Sequence, residues 1–157
     1  MRFLIFTILI FLACNTNAFP KGVDFTIEDK DLSDVSGKAV SAVSKDTSFS
    51  PFKNLGCKLT GKEILLTSLP IRTYFLTTSN ACGWGAAVGP IWIVDESHGK
   101  VILSTGGYAI EVRRRTRNGF RDIDVNSEIG GEPKSTLYSF KKGKYMPSKS
   151  HGKSRHY

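Results

Sequence analysis

Asn118-Gly119, set between two runs rich in β-branched residues and arginine, constrains this chain more than any other dipeptide. Both residues tolerate the positive φ of a two-residue type I′ loop, so the pair predicts an antiparallel hairpin whose partner positions sum to 237. That register sets Arg115 opposite Asp122 and Arg113 opposite Asp124 on one face, and Val112 opposite Val125 on the other. Cross-strand ion pairs then occupy two of the four arginines in the cluster Arg113, Arg114, Arg115 and Arg117. Arg114 falls opposite Ile123 on the apolar face. This conflict calls for a bulge, or for an edge position from which the stem snorkels. Two readings of the cluster stand side by side: a structural Arg/Asp ladder, and a recognition surface made of Arg114, Arg117 and Arg121.

The same texture runs from residue 63 onward, with short β-branched and aromatic stretches separated by Gly, Asn and Asp. Candidate strands are 63–67, 72–78, 90–95, 100–104, 108–116, 120–127, 135–141 and 144–146. Glu96-Ser97-His98-Gly99 reads as a four-residue hairpin loop that pairs Asp95 with Lys100 and Ile93 with Ile102. Lys142-Gly143 reads as a tight turn that pairs Phe140 with Tyr145. Upstream, Leu32, Val35, Ala39, Val40 and Val43 follow the spacing of one helical face, with Asp31 or Ser33 as cap. Residues 48–56, holding Pro51 and Gly56, read as a linker. No strands alternate with long helices, which argues against a doubly wound parallel sheet. The expected class is α+β, mainly β: an antiparallel meander of about six to eight strands beside one short N-terminal helix.

Met1-Arg2, the uncharged apolar run 3–13 and the small residues at Thr16 and Ala18 read as a secretory signal peptide over 1–18. A lipoprotein-like cut before Cys14 is the rival. Removal of 1–18 leaves Cys57 and Cys82, and an oxidising compartment makes them a disulfide. Closing that loop stabilises by about 3 kcal/mol on the chain-entropy model. The expected localisation is periplasmic or secreted, with a single β-rich domain over 19–146.

The net charge of +8 belongs mainly to the C-terminus. Residues 141–157 carry six Lys and Arg and no acid, whereas 19–140 carry fifteen Lys and Arg against fourteen Asp and Glu. Residues 147–157 read as a basic disordered tail, suited to weak contact with an anionic surface. A near-neutral body gives no reason to expect specific nucleic-acid binding.

Candidate chemistry is sparse. Asp122-Ile123-Asp124 points two carboxylates to one side of a strand, and His98 lies near Asp95 and Glu96, but the facing arginines favour ion pairs over a metal. Neither a Gly-x-Ser-x-Gly elbow nor a phosphate-binding loop occurs, and no cofactor is expected. The segment 80–90 holds Cys82 near its start and shows Trp84 between Gly83 and Gly85. A loop pinned by a disulfide and carrying an aromatic residue makes a rigid probe for another protein's cleft. Alternatively, Trp84 folds back over the core.

Cys82-Gly83, Pro90-Ile91-Trp92-Ile93-Val94, Asn118-Gly119-Phe120-Arg121-Asp122-Ile123, Leu137-Tyr138-Ser139-Phe140 and Gly143-Lys144-Tyr145 together resemble a group of small exported bacterial β-rich proteins. The resemblance spans roughly residues 80–146 and implies fold more than activity. In size and compartment the chain is also similar to periplasmic lysozyme inhibitors and immunity proteins, a likeness that transfers no residue. The leading expectation is a non-catalytic binding protein of the cell envelope, inhibitor-like or immunity-like, with a protein partner and with Trp84, Gly83, Gly85, Arg114, Arg117 and Arg121 as contacts. The alternatives are an envelope hydrolase or metal-dependent enzyme using Asp122, Asp124 and His98, and adhesion to anionic lipid or polysaccharide through the tail.

Overall fold

The computed structural model describes residues 24–33, 35–85 and 88–148. The expected leader and nearly all of the expected tail lie outside them, but Pro147 closes the last strand and Ser148 donates its backbone N–H to Leu137 O at 2.7 Å.

The chain is mainly β, with nine strands in two antiparallel sheets among the described residues. A short strand β1 (Asp24–Thr26) precedes helix α1 (Gly37–Lys45), a single 3₁₀ turn (Thr47–Phe49) and helix α2 (Ser50–Asn54). Then come β2 (Leu59–Ile64), β3 (Thr73–Thr78), β4 (Gly89–Asp95), β5 (Lys100–Gly107), β6 (Ala109–Arg117), β7 (Phe120–Ile129), β8 (Glu132–Lys141) and β9 (Lys144–Pro147). One sheet has the order β2-β3-β4-β5 and the other β1-β6-β7-β8-β9. The expected single meander is therefore split in two. The split falls between β5 and β6, where the chain passes from one sheet to the other through Gly106-Gly107-Tyr108. A Cβ on Gly107 would lie 2.6 Å from Val125 Cγ1 and 3.1 Å from Ile91 Cδ1, so only glycine lets the backbone cross this close to both sheets.

The helix starts later than the spacing suggests. Ser36, rather than Asp31 or Ser33, caps α1 by accepting from Ala39 N at 3.2 Å, which puts Gly37 in the first turn, where it does little harm. Ala39 and Val43 face inward as the periodicity requires. The residues read as a linker contain α2, started by Pro51 in its first turn.

Two clusters of apolar side chains hold the layers together. Phe75, Ile91 and Ile93 meet Ile110, Val112, Ile123 and Val125 between the sheets. Tyr74, Leu76, Trp92 and Val94, pointing the other way from the same two strands, meet Ala39, Val43 and Phe49 of the helical layer. Trp92 is 1% exposed, stands edge-on to Phe49 and Phe52 at 5.6 and 5.4 Å, and donates Nε1–H to Ser48 Oγ at 2.8 Å. Side chains buried to this degree contribute about 2–3 kcal/mol each, so β3 and β4 form the stable centre of the molecule.

At the outer edge of β2, where Ser33 bridges to Gly61, Lys62 Nζ binds Asp29 at 2.6 Å and Asp31 at 3.0 Å. Burial pushes the Asp29 carboxyl up, but hydrogen bonds from Lys62 and Thr26 outweigh it and leave the pKa below the ordinary value. For Lys62, burial is likewise outweighed by the bonds to Asp29 and Asp31, and its pKa is raised.

Candidate functional site: an arginine bulge over buried aspartates

Asn118 and Gly119 adopt φ of +51° and +82°, the turn expected of them, and next to it Arg117 pairs with Phe120 and Thr116 with Arg121. Farther along, the register shifts. Val112 pairs with Ile123, not Val125, and Glu111 rather than Arg113 lies opposite Asp124. Three residues, Arg113, Arg114 and Arg115, therefore bulge over Asp122 alone. The cause is the conflict at Arg114: an unbroken ladder would drive its guanidinium into the apolar core, while two extra residues on β6 leave all three arginines exposed. A similar shift separates Ile93↔Leu103 from Val94↔Val101, so Ile93 faces Leu103 and not Ile102.

The expected ion pairs survive the changed register. Arg113 binds Asp124 and also Glu111 Oε1, the latter at 2.7 Å. Asp122 Oδ2 lies 3.4 Å from Arg117 Nε and 3.8 Å from Arg115 Nε. The aspartates are almost completely enclosed, at 1% and 5% exposure for Asp122 and Asp124. Both oxygens of Asp122, and Arg117 Nε, have no hydrogen-bond partner among the described residues. A carboxylate in that position is held by the arginine field alone, at a desolvation penalty of about several kcal/mol. Beside it, burial and the Asp122 charge raise the pKa of Tyr145 far above the ordinary tyrosine value. Its neutral hydroxyl donates to Arg121 O at 2.7 Å.

Arg113, Arg114, Arg115, Asp122, Asp124 and Leu137 line a shallow cleft of about 500 Å³. Arg114 is exposed and has no ion-pair or hydrogen-bond partner among the described residues. Arg113 and Arg115, read from the sequence as structural, form part of the wall. Arg117 backs the cleft through Asp122, while Arg121 stands near the tip of the hairpin, paired with Thr116 and its backbone N–H bonded to Leu66 O at 2.7 Å.

The Trp84 segment lies elsewhere. Cys57 and Cys82 form the expected disulfide, separated by 25 residues. Trp84 is partly buried against the core between the sheets, and its Nε1–H donates to Thr78 Oγ1 at 2.7 Å, while that hydroxyl donates to Cys82 O at 2.7 Å. Of the two readings of this side chain, the packed one describes the structure. Gly83 and Gly85 are exposed at its sides, and a separate groove of about 310 Å³ runs past Gly83, Phe52 and Pro90. The structure thus does not gather the loop residues and the arginines into one site.

His98 is exposed on the β4–β5 hairpin, with Nδ1 2.7 Å from Asp95 Oδ2. Among the described residues no group of three or more His, Cys, Asp or Glu side chains is placed to hold a metal ion. Nor is any helix among them long and apolar enough to cross a membrane. The disulfide is consistent with an oxidising, exported compartment. Comparison with family models, curated proteins and solved structures finds no match for this chain.

Proposed function

We propose that this is an exported, non-catalytic binding protein of the cell envelope, and that it inhibits a wall-cleaving glycosidase by presenting Arg114 to an acidic cleft. The observation that carries this reading is the exposed, unpartnered Arg114 at the centre of a bulge whose neighbours are tied to buried aspartates. Arginine side chains normally lose much conformational freedom on binding. Here the backbone that carries Arg114 is already fixed by its neighbours. A guanidinium also matches a carboxylate with two parallel hydrogen bonds, and enzymes that cleave glycosidic bonds carry a pair of carboxylates at the scissile position. The disulfide supports the exported setting. Packed as it is, Trp84 contributes to the scaffold, and recognition rests on Arg114 with Arg113 and Arg115 at its sides.

The test is clearing of a cell-wall suspension by a panel of purified muramidases and lytic transglycosylases, with and without the protein. At least one enzyme is expected to be inhibited by the wild type and not by Arg114→Glu. Failure to slow any member of the panel, or equal inhibition by the variant, overturns the reading.

A further inference from the structure

A different surface, independent of the arginine bulge, points to a second binding partner. The β2–β3 loop and the turns β4–β5, β6–β7 and β8–β9 meet at one end of the molecule. Leu69 packs where a side chain on Gly119 would strike it, at 2.9 Å, and Asn118 Nδ2 donates to Phe140 O at 2.8 Å. Glu96 N donates to Arg72 O at 3.0 Å, and Lys100 Nζ reaches to 3.4 Å of the space beside Gly143.

The charge at this end is arranged against local stability. Lys141 and Lys144 are direct cross-strand partners. Like charges so placed repel. Between them Lys142 adopts φ of +50°, a left-handed conformation that Asn, Asp or Gly takes far more readily. The nearby acids are already occupied: Glu63 and Glu96 by Arg72, and Asp95 by His98. Lys100, Lys141, Lys142 and Lys144 have no ion-pair partner among the described residues.

Apolar side chains stand exposed with the lysines. Leu65, Leu69 and Met146 are 69%, 47% and 40% exposed, and Met146 shares with Lys141, Lys142 and Lys144 a recess of about 520 Å³. A soluble polyanion would neutralise the lysines and gain nothing from the leucines. An anionic bilayer satisfies both, because its phosphates meet the ammonium groups while short apolar side chains enter the interface. We propose that this hairpin end docks on a membrane surface rich in anionic phospholipid, through Lys100, Lys141, Lys142 and Lys144 with Leu65, Leu69 and Met146 inserted.

The test is sedimentation of the full chain with vesicles of phosphatidylglycerol and phosphatidylcholine, and with phosphatidylcholine alone. Binding is expected only to the anionic vesicles and should fall steeply with salt. The triple variant Lys141→Gln, Lys142→Gln, Lys144→Gln should bind about a hundredfold more weakly, at roughly the known contribution of each surface lysine. Leu69→Ser with Met146→Ser should weaken binding while leaving the salt dependence intact. Neither variant should melt below the wild type, and the triple variant, relieved of the Lys141–Lys144 repulsion, should melt at the same temperature or slightly higher. Three results overturn the proposal: equal binding to both vesicles, binding unaffected by the triple variant, or binding abolished by deleting 149–157 while the hairpin lysines remain.

Discussion

The two sheets treat their outer faces in opposite ways. In the four-stranded sheet every residue of β3 and β4 is buried, since helices cover one side and the other sheet covers the second. In the five-stranded sheet, β6 buries Ile110 and Val112 but leaves Arg113 to Thr116 exposed, with no helix among the described residues to cover them. The first arrangement is a core in two layers. The second places two buried carboxylates under a set of arginines, a combination that adds little stability in return for its desolvation. Sites that violate the ordinary rules of burial mark function more often than fold, so stability is assigned to β3 and β4 and the proposed recognition to β6 and β7.

Four substitutions or changes of condition press on this division. Trp92→Ala removes the largest side chain of the helix-side core and should destabilise by about 3–5 kcal/mol in urea unfolding, with inhibition unchanged where the protein remains folded. Replacing Cys57 and Cys82 by serine should cost about 2–4 kcal/mol, again without touching the arginine cleft. Arg113→Ala leaves Asp124 enclosed with its ion-pair partner gone, and should lower stability by about 1–3 kcal/mol while also weakening inhibition. At this residue the two roles overlap.

The last change is one of pH and concerns the Asp29–Lys62 pair at the β2 edge. The folded protein holds the Asp29 carboxyl below its ordinary pKa, so the contribution is present above that value and lost as pH falls through the folded one. Lys62 is held above its ordinary pKa, so its contribution is complete below that value and lost as pH rises through the folded one. Thermal melts across pH should therefore show the pair's contribution declining at both the acid and the alkaline extremes. In Lys62→Met that contribution should be absent. Equal pH profiles for the two proteins contradict the assignment.

Much of this was legible in the sequence because turns act locally. Asn118-Gly119, Lys142-Gly143 and Glu96 to Gly99 place the hairpins, and the pairings Asp95↔Lys100 and Phe140↔Tyr145 follow as expected. The two cysteines that lie outside the expected leader were enough to give the disulfide. The division into two sheets was not legible, because nothing in the composition of Gly106-Gly107 tells a bend within a sheet from a passage between sheets. Strand β1 was hidden for a related reason: three residues that pair with β6 from a distance of more than 80 positions carry no local periodicity. At the site, Arg114 opposite Ile123 announced that the regular ladder must fail. The length of the bulge and the partners of Asp122 depend on the packing of the whole sheet.

The most direct measurement pairs two readouts on Arg114→Glu and Trp92→Ala: thermal unfolding, and inhibition of the wall-cleaving enzyme identified in the panel. The account predicts that Arg114→Glu melts within about 2 °C of the wild type yet no longer inhibits, whereas Trp92→Ala melts far lower and still inhibits below its transition. A large fall in melting temperature for Arg114→Glu, or inhibition retained by it and lost by folded Trp92→Ala, would contradict the division between the two sheets.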